Sequence, residues 1–227
     1  MSDTTATIVF DLDGTLVDTA HDLIDSLNFT IAAHNLAPVT YDDITHLVGH
    51  GARVMIERAF ALRGIDLPAE ALPAMMQRFV AHYGENMPGH SRPFDGLTEA
   101  LEQLRQAGYR LAVCTNKMES LARPLIESLG LSGHFAAISG GDTFAQRKPH
   151  GDHIRLTVEM AGGDPSEAVM VGDSINDILG ARNAGVPSIA VPFGYSDVPV
   201  EELGATCIIA SYNELTPELV GRLLSSR

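Results

Sequence analysis

Apolar and polar residues alternate along this chain in two distinct rhythms. Ala6–Phe10 is a short apolar run with β-branched residues that ends in Asp-Leu-Asp-Gly; it predicts a buried strand stopping at a turn. From about Thr19 to Glu85 the spacing becomes helical. Leu23, Leu27 and Ile31 share one face, and after Gly51 the residues Ala52, Met55, Ile56, Ala59 and Phe60 recur at helical intervals. A third helix is predicted over Pro68–Tyr83, with a proline near its start. Nothing in this stretch reads as a strand. Asn86–Pro93, with two prolines and a glycine, reads as a linker.

After the linker the rhythms alternate. Strands are predicted at Arg110–Cys114, Phe135–Ser139, Ala168–Val171, Ser188–Val191 and Thr206–Ile209. Helices are predicted at Leu97–Ala107, Ser120–Leu129, His150–Ala161, Ile175–Ala184 and Asn213–Leu224, several of them stopped by a glycine. Such alternation implies an α/β fold with a doubly wound, Rossmann-like parallel sheet covered by helices on both faces. The expected organisation is a core of residues 1–15 and 88–227, with residues 16–87 as a helical unit inserted after the first strand. Ligands of such sheets sit at the carboxyl ends of the strands.

Composition narrows the partners. Of 227 residues, 45% are hydrophobic, enough to bury a core, and no apolar run nears the ~18 residues that cross a bilayer. The formal net charge is −14, so neither nucleic acid nor an anionic membrane is expected as a partner. Only Lys117 and Lys148 are lysines, and each sits beside a polar cluster. Cys114 and Cys207 lie in short apolar runs and are expected as buried free thiols. The start of the chain lacks a basic segment and a long apolar stretch, so a secretory signal is not expected and a cytoplasmic location is.

Four polar clusters follow predicted strands. Asp11-Leu12-Asp13-Gly14-Thr15 sets two carboxylates two residues apart, which a divalent cation would relieve, although a solvated acidic turn has the same composition. Thr115-Asn116-Lys117 suits an anionic oxygen or, equally, a simple helix cap. Lys148-Pro149 precedes a helix, and its lysine suits phosphate or carboxylates. Gly172-Asp173-Ser174-Ile175-Asn176-Asp177 puts Asp173 and Asp177 four apart at a helix start, where the dipole also favours acids. Each has a bland explanation alone; their joint order at strand ends does not.

In this combination the chain resembles the haloacid dehalogenase-like phosphatase superfamily over nearly its whole length, most specifically through DLDGTLVDT (Asp11–Thr19) and GDSINDILGARNAG (Gly172–Gly185). The resemblance implies Asp11 as nucleophile, forming an aspartyl-phosphate, and Asp13 as the acid and base that serves the leaving alcohol and then water. It implies Mg²⁺ held by the Asp11 carboxylate, the Asp13 backbone carbonyl and Asp173, with Asp177 behind or through a water. Thr115 and Lys148, with Asn116 beside them, would hold the phosphoryl oxygens, and residues 16–87 would form a cap. Superfamily haloacid dehalogenases lack an aspartate at position 13, and phosphonoacetaldehyde hydrolases need a cap lysine absent from Leu16–Met87. β-Phosphoglucomutases carry a histidine where Leu23 stands, which disfavours a mutase.

Within the superfamily the chain most resembles the bacterial phosphoglycolate phosphatases, through LVGHGARVMIERAF (Leu47–Phe60), SGGDTFAQRKPH (Ser139–His150) and PFGYS (Pro192–Ser196). It departs from them at His150-Gly151, which bears on how the next helix starts. The implied substrate is a small phosphorylated metabolite, 2-phosphoglycolate, with other sugar phosphates and pyrophosphate as alternatives. His50, Gly51 and Arg53 are candidates for its carboxylate. A degenerate, purely phosphate-binding protein would be expected to lack one of Asp11, Asp13, Lys148 or Asp173, and all are present. A monomer or homodimer is expected.

Overall fold

The computed structural model describes residues 5–41, 43 and 51–226. In chain order it runs β1 (Thr7–Phe10), β2 (Val17–Asp18), α1 (Ala20–Ala32), α2 (Ala52–Leu62), α3 (Leu72–Asn86) and β3 (Arg92–Pro93). There follow α4 (Leu97–Gln106), β4 (Arg110–Cys114), α5 (Glu119–Ser128), β5 (Ala137–Ser139), α6 (Gly151–Met160) and β6 (Ala168–Gly172). The chain ends through α7 (Ile175–Ala184), β7 (Ser188–Ala190), β8 (Cys207–Ile208) and α8 (Pro217–Ser225).

Among the described residues six strands form one sheet in the order β5-β4-β1-β6-β7-β8, with every neighbouring pair parallel. All four residues of β1 and all five of β6 are buried, as continuous apolar runs in a two-sided sheet must be. The chain builds outward from β1 to β4 and β5, then returns to the other side of β1 with β6. That reversal leaves a crevice at the carboxyl ends of β1, β4 and β6, where ligands of such sheets bind. The polar loops after all three strands converge there.

The helices α1, α2 and α3 bury a separate apolar cluster. Leu23, Leu27 and Ile31 meet Met55, Ile56 and Phe60 and then Met75, Phe79 and Tyr83, the faces that the helical spacing marks. Leu121 of α5 and Tyr195 join this cluster from the sheet side.

Three elements differ from the sequence reading. The third helix begins at Leu72 with Pro73, not Pro68, in its first turn, because a residue without an N–H fits only there. It runs through Asn86, and the supposed linker ends in a strand: Arg92–Pro93 pair antiparallel with Val17–Asp18. Asp22 also accepts hydrogen bonds from the His90 and Ser91 N–H groups, so both crossings into the helical unit are fastened together. Near the end, Pro217 splits the expected Asn213–Leu224 helix into a 3₁₀ turn at Tyr212–Glu214 and α8, capped by Thr216. Cys114 is buried, whereas Cys207 on the edge strand is partly exposed. No helix among the described residues is long and apolar enough to cross a membrane.

Candidate active site

The strand ends bring Asp11, Asp173 and Asp177 together, with one carboxylate oxygen of each within 4.8 Å of the others. Asp11 follows β1, its N–H bonded to the Val171 carbonyl of β6. Asp173 follows β6; its carboxylate accepts from the Thr15 hydroxyl at 2.8 Å and the Tyr195 N–H at 2.7 Å. Gly14 permits this approach: its φ is +83°, and a side chain there would begin 2.6 Å from Asp173 Oδ2. Asp177 closes a capping box at the start of α7, accepting from the Ser174 N–H and hydroxyl through Oδ2. Its other oxygen accepts from Lys148 Nζ at 2.6 Å, and the same ammonium reaches Asp11 Oδ1 at 2.7 Å.

One lysine therefore bridges two of three clustered, buried carboxylates. Burial, and after it the negative charge of Asp177, raises the Asp11 carboxyl to about 6 despite Lys148. Burial and the Asp177 and Asp11 charges raise Asp173 to about 8. Burial alone would lower the Lys148 ammonium, but Asp11 and Asp177 outweigh it and hold it above the ordinary lysine range. The cluster is short of positive charge and offers only carboxylate oxygens, the donor set that a hard divalent cation takes.

The second acidic residue is held differently. The Asp13 carboxylate accepts from Lys117 Nζ at 3.0 and 3.2 Å and from the Thr19 hydroxyl at 2.7 Å. Lys117 also lies 4.1 Å from the centre of the Tyr83 ring on α3, a cation–π contact joining the β4 loop to the helical unit. The sequence places Lys117 beside a cluster but gives it no aim. Tyr195, in the late PFGYS stretch, is a second residue without a sequence-derived role. Its N–H meets Asp173, while its hydroxyl accepts from the Thr19 and Ala20 N–H groups and donates to Asp18 at 2.6 Å.

Thr115 is buried, its hydroxyl oxygen accepting the Lys117 N–H at 3.2 Å. Asn116 donates from Nδ2 to the Lys148 carbonyl at 3.1 Å, and its buried Oδ1 has no protein partner among the described residues. Behind Lys148, His153 accepts the Lys148 N–H through Nδ1 and meets the Ser139 hydroxyl through Nε2. Burial, then the Lys148 charge, pushes its imidazole down to about 4. At the departure noted above, His150 caps α6, its Nδ1 accepting the Asp152 N–H. Gly151 is required beside it, because a side chain would begin 2.4 Å from the Asn183 carbonyl.

A cavity of about 100 Å³ opens over Asp11, Asp13, Thr115, Asn116 and Lys117, and is roofed by Leu23, Gly51, Ala52, Met55, Met76 and Phe79 of the helical unit. It is well below the ~300–1,000 Å³ of sites for drug-sized ligands. Gly51 opens α2 at its edge, and Arg53 also lines it, while donating to Glu57 at 2.8 Å. His50 lies outside the described residues. Arg147, which the sequence reading passed over, lines the same cavity.

The chain is similar to known proteins over most of its length. Residues 8–191 match the model of the family described as haloacid dehalogenase-like hydrolase. A phosphoglycolate phosphatase of Agrobacterium fabrum is 62% identical over 217 residues, covering 96% of this chain and 93% of that protein. One from Mesorhizobium japonicum is 50% identical, covering 96% of each. The crystal structure of a predicted phosphoglycolate phosphatase from Haemophilus somnus superposes with a TM-score of 0.86 at 30% identity, covering 95% of this chain and 98% of that one. By sequence and by fold, the chain belongs to the haloacid dehalogenase-like hydrolase family.

Proposed function

We propose that this enzyme hydrolyses 2-phosphoglycolate to glycolate and phosphate, with Mg²⁺ and through an aspartyl-phosphate on Asp11. The observation that carries the chemistry is the charge-deficient cluster of Asp11, Asp173 and Asp177, where Lys148 bridges Asp11 and Asp177, with Asp13 lining the same cavity as Asp11. The substrate rests on the relatives at 62% and 50% identity, and the small cavity agrees with it.

Asp11 and Asp173 would hold Mg²⁺ together with the Asp13 backbone carbonyl, while Asp177 fixes Lys148. The bound ion supplies positive charge that steadies the phosphoryl oxygens during transfer. Lys148 takes only Oδ1 of Asp11. The Asp11 carboxylate attacks phosphorus, the bond from phosphorus to the glycolate oxygen breaks, and Asp13 gives that oxygen a proton. Asp13 then takes a proton from water as the water oxygen attacks the aspartyl-phosphate, which frees phosphate and restores Asp11. In the structure both Asp13 oxygens are engaged by Lys117. The substrate oxygen must displace part of that contact. The Thr115 hydroxyl and Lys148 hold phosphoryl oxygens, with Asn116 beside them. Residues 16–87 serve as a cap that excludes water from the cavity, and Gly51 and Arg53 face the carboxylate end of the substrate.

The test is phosphate release with Mg²⁺ across 2-phosphoglycolate, hexose and amino-sugar phosphates and pyrophosphate, with Asp11→Asn alongside. Preference for 2-phosphoglycolate, reduced on the order of 10⁴-fold or more by Asp11→Asn, is the expected outcome. Another preferred substrate discards the substrate assignment; full activity in Asp11→Asn discards the mechanism.

A further inference from the structure

Three cationic side chains line the cavity: Lys117, Arg53 and Arg147. Lys117 is held by Asp13 at 3.0 Å, and Arg53 is held by Glu57 at 2.8 Å. The Arg147 guanidinium has neither an ion pair nor a hydrogen bond among the described residues, in a chain where acidic residues outnumber lysine and arginine 29 to 15. Its place is set by its neighbour. Lys148 turns inward to Asp11, and the Arg147 carbonyl accepts the His150 N–H at 2.9 Å, fixing the turn from which Arg147 reaches the cavity. Its Nη1 lies 3.8 Å from where a side chain at Gly51 would begin, so the guanidinium stands between the β5–α6 loop and the first turn of α2.

A substrate with a phosphoryl group alone would have its charge met by Lys148 and the bound cation. A second anionic group needs a further cation, free of carboxylate partners and at the other side of the cavity. We propose that Arg147 is the specificity-determining residue that holds the substrate's carboxylate. The inference rests on 2-phosphoglycolate as substrate. A guanidinium binds a carboxylate through two parallel N–H donors, and its charge needs no proton uptake to do so. The glycine at position 51 keeps the space beside it open.

The experiment compares kcat/KM for 2-phosphoglycolate and for ethyl phosphate, which has the same two carbons and no carboxylate. It uses wild type, Arg147→Gln, Arg147→Lys and Arg53→Ala, with inhibition by inorganic phosphate as an independent readout. In Arg147→Gln the preference for 2-phosphoglycolate falls by about tenfold or more, through KM, as expected for a lost hydrogen bond to a charged group. Inhibition by phosphate weakens far less, Arg147→Lys recovers part of the preference, and Arg53→Ala loses less of it. A wild type that prefers 2-phosphoglycolate and an Arg147→Gln variant that keeps the preference, or loses both activities equally, overturns the inference alone. So does loss of preference in Arg53→Ala only. A wild type without the preference overturns the substrate reading and the inference together.

Discussion

The carboxyl edge of the sheet and the helical unit above it are held by opposite means. At the sheet edge, residues far apart in sequence meet as buried charges: Lys148 bridges Asp11 and Asp177, and Lys117 holds Asp13. In the helical unit, three helices meet through leucine, isoleucine, methionine and aromatic side chains, and the arginine nearest the cavity pairs with a glutamate of its own helix. Buried charge is directional and costly to leave unmatched, so the edge admits one arrangement. Apolar packing is tolerant of volume-conserving change. The cavity thus joins a floor fixed by charge to a roof of apolar side chains that tolerates exchange.

The strongest way to break this contrast is to remove the central cation. Lys148→Met leaves Asp11 and Asp177 without it, and an orphaned buried charge costs about 3–5 kcal/mol. For a chain of this size that lowers the thermal midpoint on the order of 10 °C. Activity on every phosphomonoester is lost with it. Calorimetry of the variant checks the first outcome and phosphate release the second; a midpoint within a degree of wild type removes the claim that the edge is fixed by charge.

Much of that edge was legible in the chain through its resemblance to the haloacid dehalogenase-like phosphatases, carried by DLDGTLVDT and GDSINDILGARNAG, whereas position at a strand end left each cluster equally open to a cap or an acidic turn. Asp11, Thr115 and Asp173 directly follow β1, β4 and β6, Lys148 lies in the long loop between β5 and α6, and the structure brings these four together with Asp13 and Asp177. Lys117, Arg147 and Tyr195 were not given roles, since where a loop side chain points is set by packing from elsewhere: Tyr83 under Lys117, the α2 start beside Arg147. Nor could two-residue strands announce themselves. Val17–Asp18 and Arg92–Pro93 are too short for alternation, and they pair next to the place where Asp22 fastens the two crossings.

Lys117 sits where the two regions meet, so it sharpens the comparison. Lys117→Met takes away the cation shared by Asp13 and the Tyr83 ring. Asp13 keeps Thr19 and is less deeply buried than Asp177, so the stability loss is smaller, about 1–3 kcal/mol. Tyr83→Leu removes the ring contact, worth about 0.5–2 kcal/mol, and with it the stacking on Phe79 within the apolar cluster, but leaves the Lys117 charge on Asp13. The expected split is a fall in kcat in Lys117→Met that Tyr83→Leu does not match, measured alongside denaturant unfolding of both. Equal kcat losses would mean that the junction acts through packing rather than through the charge on Asp13.

The smallest effect concerns the neutral support behind the charges. Because His153 is lowered from 6.5 to about 4 in the folded protein, it stays uncharged while its unfolded counterpart takes up a proton. The unfolded chain then binds more protons below about pH 6.5, so this contribution to stability falls as pH drops towards about 4. Between about pH 7.5 and about pH 5.5 the loss amounts to roughly 1 kcal/mol. His153→Gln carries no such group, and subtracting its unfolding free energy from that of wild type cancels the opposing titrations of Asp11 and Asp173. The gap between the two proteins is therefore expected to narrow by that amount on acidification in denaturant titrations. A gap that stays constant would place a charged imidazole behind Lys148, against the burial and the Lys148 charge that hold it neutral.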